Sequence, residues 1–162
     1  MAVFKNAESN IIALLLTLSE DKDFLRLISI DTADALSKEP TKSFYDLLND
    51  RISMKPKTVS PTVEKGTFLN CWIKSANKAG VNNIYQYDTI IVIDIMSHLD
   101  LWQLDDNLVR VYRLGDIIDD GMIRAKINSL AGEAILESPT FIPYSENFQG
   151  FRLVYKYTGS RK

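Results

Sequence analysis

The sequence predicts an α+β fold: an antiparallel β-sheet of about four strands in the order β-β-α-β-β, with a long helix packed on one face and helices ahead of it. Three observations predict it. Residues 87–96 form a run rich in β-branched residues, with Ile90, Ile91, Val92, Ile93 and Ile95, which suits a pleated surface covered on both faces. Residues 150–157 alternate, Phe151, Leu153, Tyr155 and Tyr157 against Arg152, Val154 and Lys156. Between them, residues 105–130 carry Leu108, Val111, Ile118, Met122, Ile123, Ile127 and Leu130 along one helical stripe. Strands that flank such a helix bury both apolar faces by stacking into two layers.

The remaining elements follow in order. Ser9 and Asn10 precede a helix over 11–18, whose apolar face is Ile11, Leu14, Leu15 and Leu18. Residues 23–30 fit either a short helix or a strand. Residues 31–38 stop before Glu39-Pro40, where proline disfavours helix continuation. Residues 44–48 fit one or two helical turns. Residues 53–66 hold Pro56 and Pro61 among lysines, threonines and serines, and read as a loop or arm. A strand over 67–74 and a turn at Gly80, Asn82 and Asn83 lead to the central strand. Asp105 and Asp106 sit where a helix N-terminus favours carboxylates. Gly115 and Gly121 inside that helix imply a bend or a close contact. A strand over 133–141 is interrupted by Pro139, and 158–162 read as a flexible tail. One domain over 1–162 is expected: a helical region (1–52), the arm (53–66), the sheet-plus-helix core (67–157) and the tail.

Composition narrows function by exclusion. A chain of 162 residues buries roughly 68–70% of its unfolded surface and folds without disulfide or metal. The lone Cys71, in an apolar run, reads as a buried structural thiol in a reducing compartment. No leader pattern is read at the start, and the apolar stretch 11–18 is too short to span a bilayer, so a soluble, intracellular protein is expected. No glycine-rich phosphate loop is present. The single histidine, His98, lies between Asp94 and Asp100, but further nitrogen or sulfur ligands for a transition metal are lacking. On an extended strand only Asp94 shares its face. No catalytic residue, no cofactor and no metal are therefore expected, and His98, Asp100 and Trp102 are read as fixing the turn ahead of the long helix.

Charge is segregated. Residues 51–78 hold six basic residues against Glu64, a balance of +5, and residues 94–120 hold seven aspartates against Arg110 and Arg113, a balance of −5. Opposite patches on a small domain suit head-to-tail self-association, and the basic stretch with Phe68 and Trp72 would also suit nucleic acid.

The residues Ile93-Asp94-Ile95-Met96-Ser97-His98, with Asp100 and Trp102, then Arg110-Val111-Tyr112-Arg113-Leu114 and Ile117, Ile118 and Asp119, and finally Gly150-Phe151-Arg152-Leu153-Val154-Tyr155, resemble the second half of tail terminator and tail completion proteins of tailed bacteriophages. The resemblance covers roughly 87–157. It implies a non-enzymatic virion protein of the neck that is made in the host cytoplasm. Its subunits would form a ring, usually six-fold, that ends the tail and joins it to head-side neck proteins and the tail tube, with DNA passing through the lumen. On that reading Lys55, Lys57 and Lys65 are candidate interface residues, and Asp119 and Asp120 candidates for a weakly acidic lumen. The rival readings are a nucleic-acid adaptor using 51–78 and a hydrolase centred on His98 and Asp94.

Overall fold

The computed structural model describes residues 3–56, 65–78, 86–125 and 134–160. The fold is α+β: among the described residues, a six-stranded sheet with four α-helices. In chain order these are α1 (Val3–Ser19), α2 (Lys22–Ser29), α3 (Phe44–Leu47), β1 (Ile52–Ser53), β2 (Thr67–Lys78), β3 (Gln86–His98), α4 (Arg110–Arg124), β4 (Ile135–Leu136), β5 (Thr140–Pro143) and β6 (Phe148–Ser160). The sheet runs β1-β2-β3-β6-β4, with β5 also on β6. The central strand is therefore the β-branched one. All pairings are antiparallel except β1 on β2.

Side-chain alternation assigns the two faces. Leu69 and Cys71 of β2, Ile91, Ile93 and Ile95 of β3, and Leu153, Tyr155 and Tyr157 of β6 face the helices. They pack on Leu14 and Leu18 of α1, Phe24, Leu27 and Ile28 of α2, and Val111, Leu114, Ile118 and Met122 of α4. Each such side chain, fully buried, contributes about 1.5–3 kcal/mol. At Gly121 an added Cβ would lie 2.9 Å from Leu18 Cδ2, so this glycine lets α4 and α1 approach.

Short elements are set by local caps. The Asp21 carboxylate accepts from Phe24 N (2.9 Å) and starts α2, which resolves the ambiguous 23–30 stretch as a helix. Ser43 and Asp46 form a capping box on α3. Arg51 grips Asp31 with both terminal guanidinium nitrogens and donates to Ile28 O (2.8 Å), holding β1 beside α2.

Four expectations change. The long helix begins at Arg110, not Asp105. The Asp105-Asp106-Asn107 sequence makes a turn in which Leu104 N donates to Leu108 O (2.9 Å) and Asn107 takes a positive φ of 64°. Asp, Asp and Asn are turn residues as much as helix starters, and here the turn wins. The helix is described to Arg124, and the Ile127 and Leu130 continuation falls outside the described residues, as do Gly80, Asn82 and Asn83. The expected final strand pair is split: Pro139 has no N–H to donate, so β4 and β5 are separate segments along β6, bringing the strand count to six with β1. Finally, β1 occupies part of the arm, and β6 runs on through Thr158, Gly159 and Ser160 paired with Asp88, Tyr87 and Gln86, where a frayed tail was expected. Central-strand pairing overrides the polar composition there.

Arg110 is wholly buried at the start of α4. Its Nε donates to Leu101 O (2.9 Å), one terminal nitrogen to Leu27 O (2.6 Å) and Ile30 O (2.9 Å), and the other to Thr32 O (2.6 Å). Burial lowers its pKa to about 10, which leaves it charged at neutral pH, and the carbonyl dipoles replace the water it has lost. Arg110→Met keeps the bulk but strands four carbonyls. It should cost about 3 kcal/mol or more in unfolding free energy, read from the denaturant midpoint. A loss under about 1 kcal/mol would mean that water substitutes readily.

Candidate functional site

The turn after β3 is built by His98. Its Nδ1 accepts from Asp100 N (3.2 Å) and caps a 3-10 turn at Leu99–Leu101. Trp102 closes it, with N donating to Leu99 O (3.1 Å) and Nε1 to Ser97 O (3.3 Å). The Trp102 carbonyl then accepts from Arg110 N (2.8 Å), which ties this turn to the first residue of α4 across the separate turn at Asp105-Asp106-Asn107. Asp100 faces His98 Nδ1 at 3.7 Å and Lys65 Nζ at 3.4 Å. Asp94, the carboxylate of the hydrolase reading, is instead 2% exposed and held in a fork by Arg152 Nε (2.7 Å) and Nη2 (2.9 Å) across the β3–β6 ladder. Arg152 also lies over the Trp72 ring at 5.3 Å. The structure thus commits the two residues of that reading to different partners. Among the described residues no cluster of three or more His, Cys, Asp or Glu is placed to hold a metal ion. No helix among them is long and apolar enough to cross a membrane.

The surface that sequence reasoning missed lies over α4 and the β4–β5 edge. Trp102, Phe141, Phe151 and Tyr112 form a chain of aromatic rings, with centroids 6.3, 5.8 and 5.3 Å apart. Tyr112 is 54% exposed and Phe141 47%. Beside them is a cleft of about 280 Å³ lined by Tyr112, Gly115, Asp116, Leu136, Phe151 and Leu153. An added Cβ at Gly115 would meet nothing within 4 Å. Close packing does not explain this glycine, and the helix leaves a gap beside it. The period of Tyr112 and Asp116 on one helical face was visible, but a cleft made with Pro139 and Leu136 requires the fold. A second exposed stripe runs along α1 at Phe4, Ile12 and Leu16.

The charged candidates are spread unequally. Lys55 is exposed just after β1, and no ion pair to it is found among the described residues. Lys65 is exposed and engaged by Asp100, while Lys57 lies outside the described residues. Of the two lumen candidates, Asp120 is exposed, and half-buried Asp119 turns toward the sheet and accepts from Tyr155 OH (2.8 Å). Asp116 is exposed on the same helix.

Cys71 is fully buried on the helix face of β2, and burial, with the Asp94 charge, pushes its thiol up to about 12.

A family model, YomW, matches residues 21–157, from the cap of α2 to β6. No curated protein matches the chain.

The native protein should resist thiol alkylation at pH 8 and react once unfolded, as followed by intact mass. The sign of the linked pH effect follows from the raised folded value. The unfolded thiol ionises near 9.0 and the folded one near 12, so the contribution is intact below 9 and is lost as pH rises toward 12. Denaturant titrations across that window should show falling stability. A flat profile would place Cys71 in contact with water.

Proposed function

The chain belongs to the phage-derived YomW family, and from that premise we propose that it is a structural subunit of a tailed-phage neck. In this reading it forms a ring, six-fold as in the tail terminator and completion proteins it resembles. The ring ends the tail and contacts the tail tube on one side and head-side neck proteins on the other, and DNA passes through its lumen without sequence-specific contacts. The protein would act in the virion after assembly in the host cytoplasm, with no reaction, cofactor or membrane involved.

One observation carries the reading. A closed ring needs two unlike surfaces on each subunit. Lys55 follows β1 at one edge of the sheet, and the aromatic cleft with Asp116 lies at the opposite, β4 edge. Unlike surfaces of opposite sign at opposite edges bring one copy onto the next in a repeating, head-to-tail sense. Exposed aromatic rings on a chain of this size mark a contact surface more often than a solvated one.

A nucleic-acid adaptor remains the second reading, on the observation that Lys55, Lys74 and Lys78 are exposed and no ion pairs to them are found among the described residues. Salt-dependent retention of DNA by a monomer would favour it.

Reversing the charge of Lys55, Lys57 and Lys65 together should weaken ring formation at least about tenfold, measured by light scattering at matched concentrations. Unchanged assembly would remove the basic arm from the interface.

A further inference from the structure

We propose that the cleft beside α4 receives Met54 of a second copy of the chain, with that copy's Lys55 set against Asp116. The inference rests on the ring reading and names the side chains that join its subunits.

The receptor side is an unfilled gap. Gly115 costs helix α4 about 1 kcal/mol relative to alanine, yet the position of its missing side chain is open for 4 Å, unlike Gly121, where Leu18 takes the space. The rings of Tyr112 and Phe151 and the side chains of Leu136 and Leu153 wall a volume of about 280 Å³, and Asp116 stands exposed at its rim. Such a pocket selects an apolar side chain that carries a cation beside it.

The chain supplies that combination at Met54 and Lys55. Met54 is 42% exposed, and methionine fits irregular apolar gaps and aromatic edges. Lys38, Lys42, Lys65 and Lys156 are each matched to a carboxylate, whereas Lys55, Lys74 and Lys78, like Asp116, have no ion pair among the described residues, and of these three lysines Lys55 is the one that follows an exposed apolar side chain. The two surfaces cannot meet within one chain, because β2, β3 and β6 lie between the β1 edge and the β4 edge. Across two chains they make a heterologous contact that repeats. Both surfaces fall within residues 21–157, the span matched to the family, and the exposed stripe of α1 falls outside it.

Gly115→Trp fills the cleft from inside, and because the space is open the monomer should keep its unfolding temperature. The expected result is self-association weakened about tenfold or more by sedimentation equilibrium, with Gly115→Ala close to the native chain. As a second measurement, the double variant Met54→Cys with Gly115→Cys should give a disulfide-linked ladder of multimers on oxidation, while each single variant should not. A disulfide confined to monomers would overturn the inference. So would native-like association of Gly115→Trp, or loss of association through Phe4, Ile12 and Leu16 alone, and in these cases the ring reading would stand. A native chain that stays monomeric at every concentration, with no ladder from the double variant, would overturn both.

Discussion

The position of α4 depends on one buried guanidinium. Arg110 joins two stretches far apart in sequence: the end of α2 and the loop that follows it, through Leu27, Ile30 and Thr32, and the turn after β3, through Leu101. All four acceptors are main-chain carbonyls, and the bonds to Leu101, Leu27 and Ile30 are buried, where a carbonyl needs a donor. Arginine suits the task because its planar fork presents several donors at fixed angles and its charge strengthens each bond. A neutral side chain of the same size could fill the space but could not set the direction in which α4 leaves. The aromatic chain and the cleft both include α4 residues, so their geometry descends from this one side chain.

Much of the fold was legible because its signals are local and strong. The β-branched run became the central strand, the alternating one paired with it throughout, and the apolar stripe became the helix above them. Apolar period reports which face is buried, and it holds at Val111, Ile118 and Met122, whereas Ile123 is exposed and Leu108 lies exposed ahead of the helix. Boundaries were less legible where two local codes compete. Asp105 and Asp106 satisfy the rule for a helix start and the rule for a turn, and only the partner carbonyls of Trp102 and Ala33 decide between them. Thr158 and Gly159 carry no strand signal of their own and are strands because Asp88 and Tyr87 lie opposite. Arg110 read as an ordinary helix charge, since nothing in its neighbourhood reveals carbonyls some eighty residues earlier.

The candidate surfaces divide in the same way. Charge segregation is a property of composition and could be read directly, and it points to Lys55 and Asp116 as readily as to residues that turn out to be engaged. The fold sorts them: Lys65 is held by Asp100 and Asp119 by Tyr155 OH, while Lys55 and Asp116 are left facing outward. The pairing of His98 with Asp100 and of Asp94 with Arg152 likewise follows from which strand lies beside which, information that a stretch of seven residues does not contain.

The central strand has a mechanical consequence. β3 is gripped on both sides along its length, by β2 and by β6, and both ladders are antiparallel. Their hydrogen bonds lie across the strand direction. A pull along β3 therefore strains the two ladders in shear, all rungs together, whereas a pull at a sheet edge would peel β4 or β5 away one rung at a time. The molecule is stiff along one axis and compliant across it, and a load passed lengthwise through the sheet meets its strongest direction.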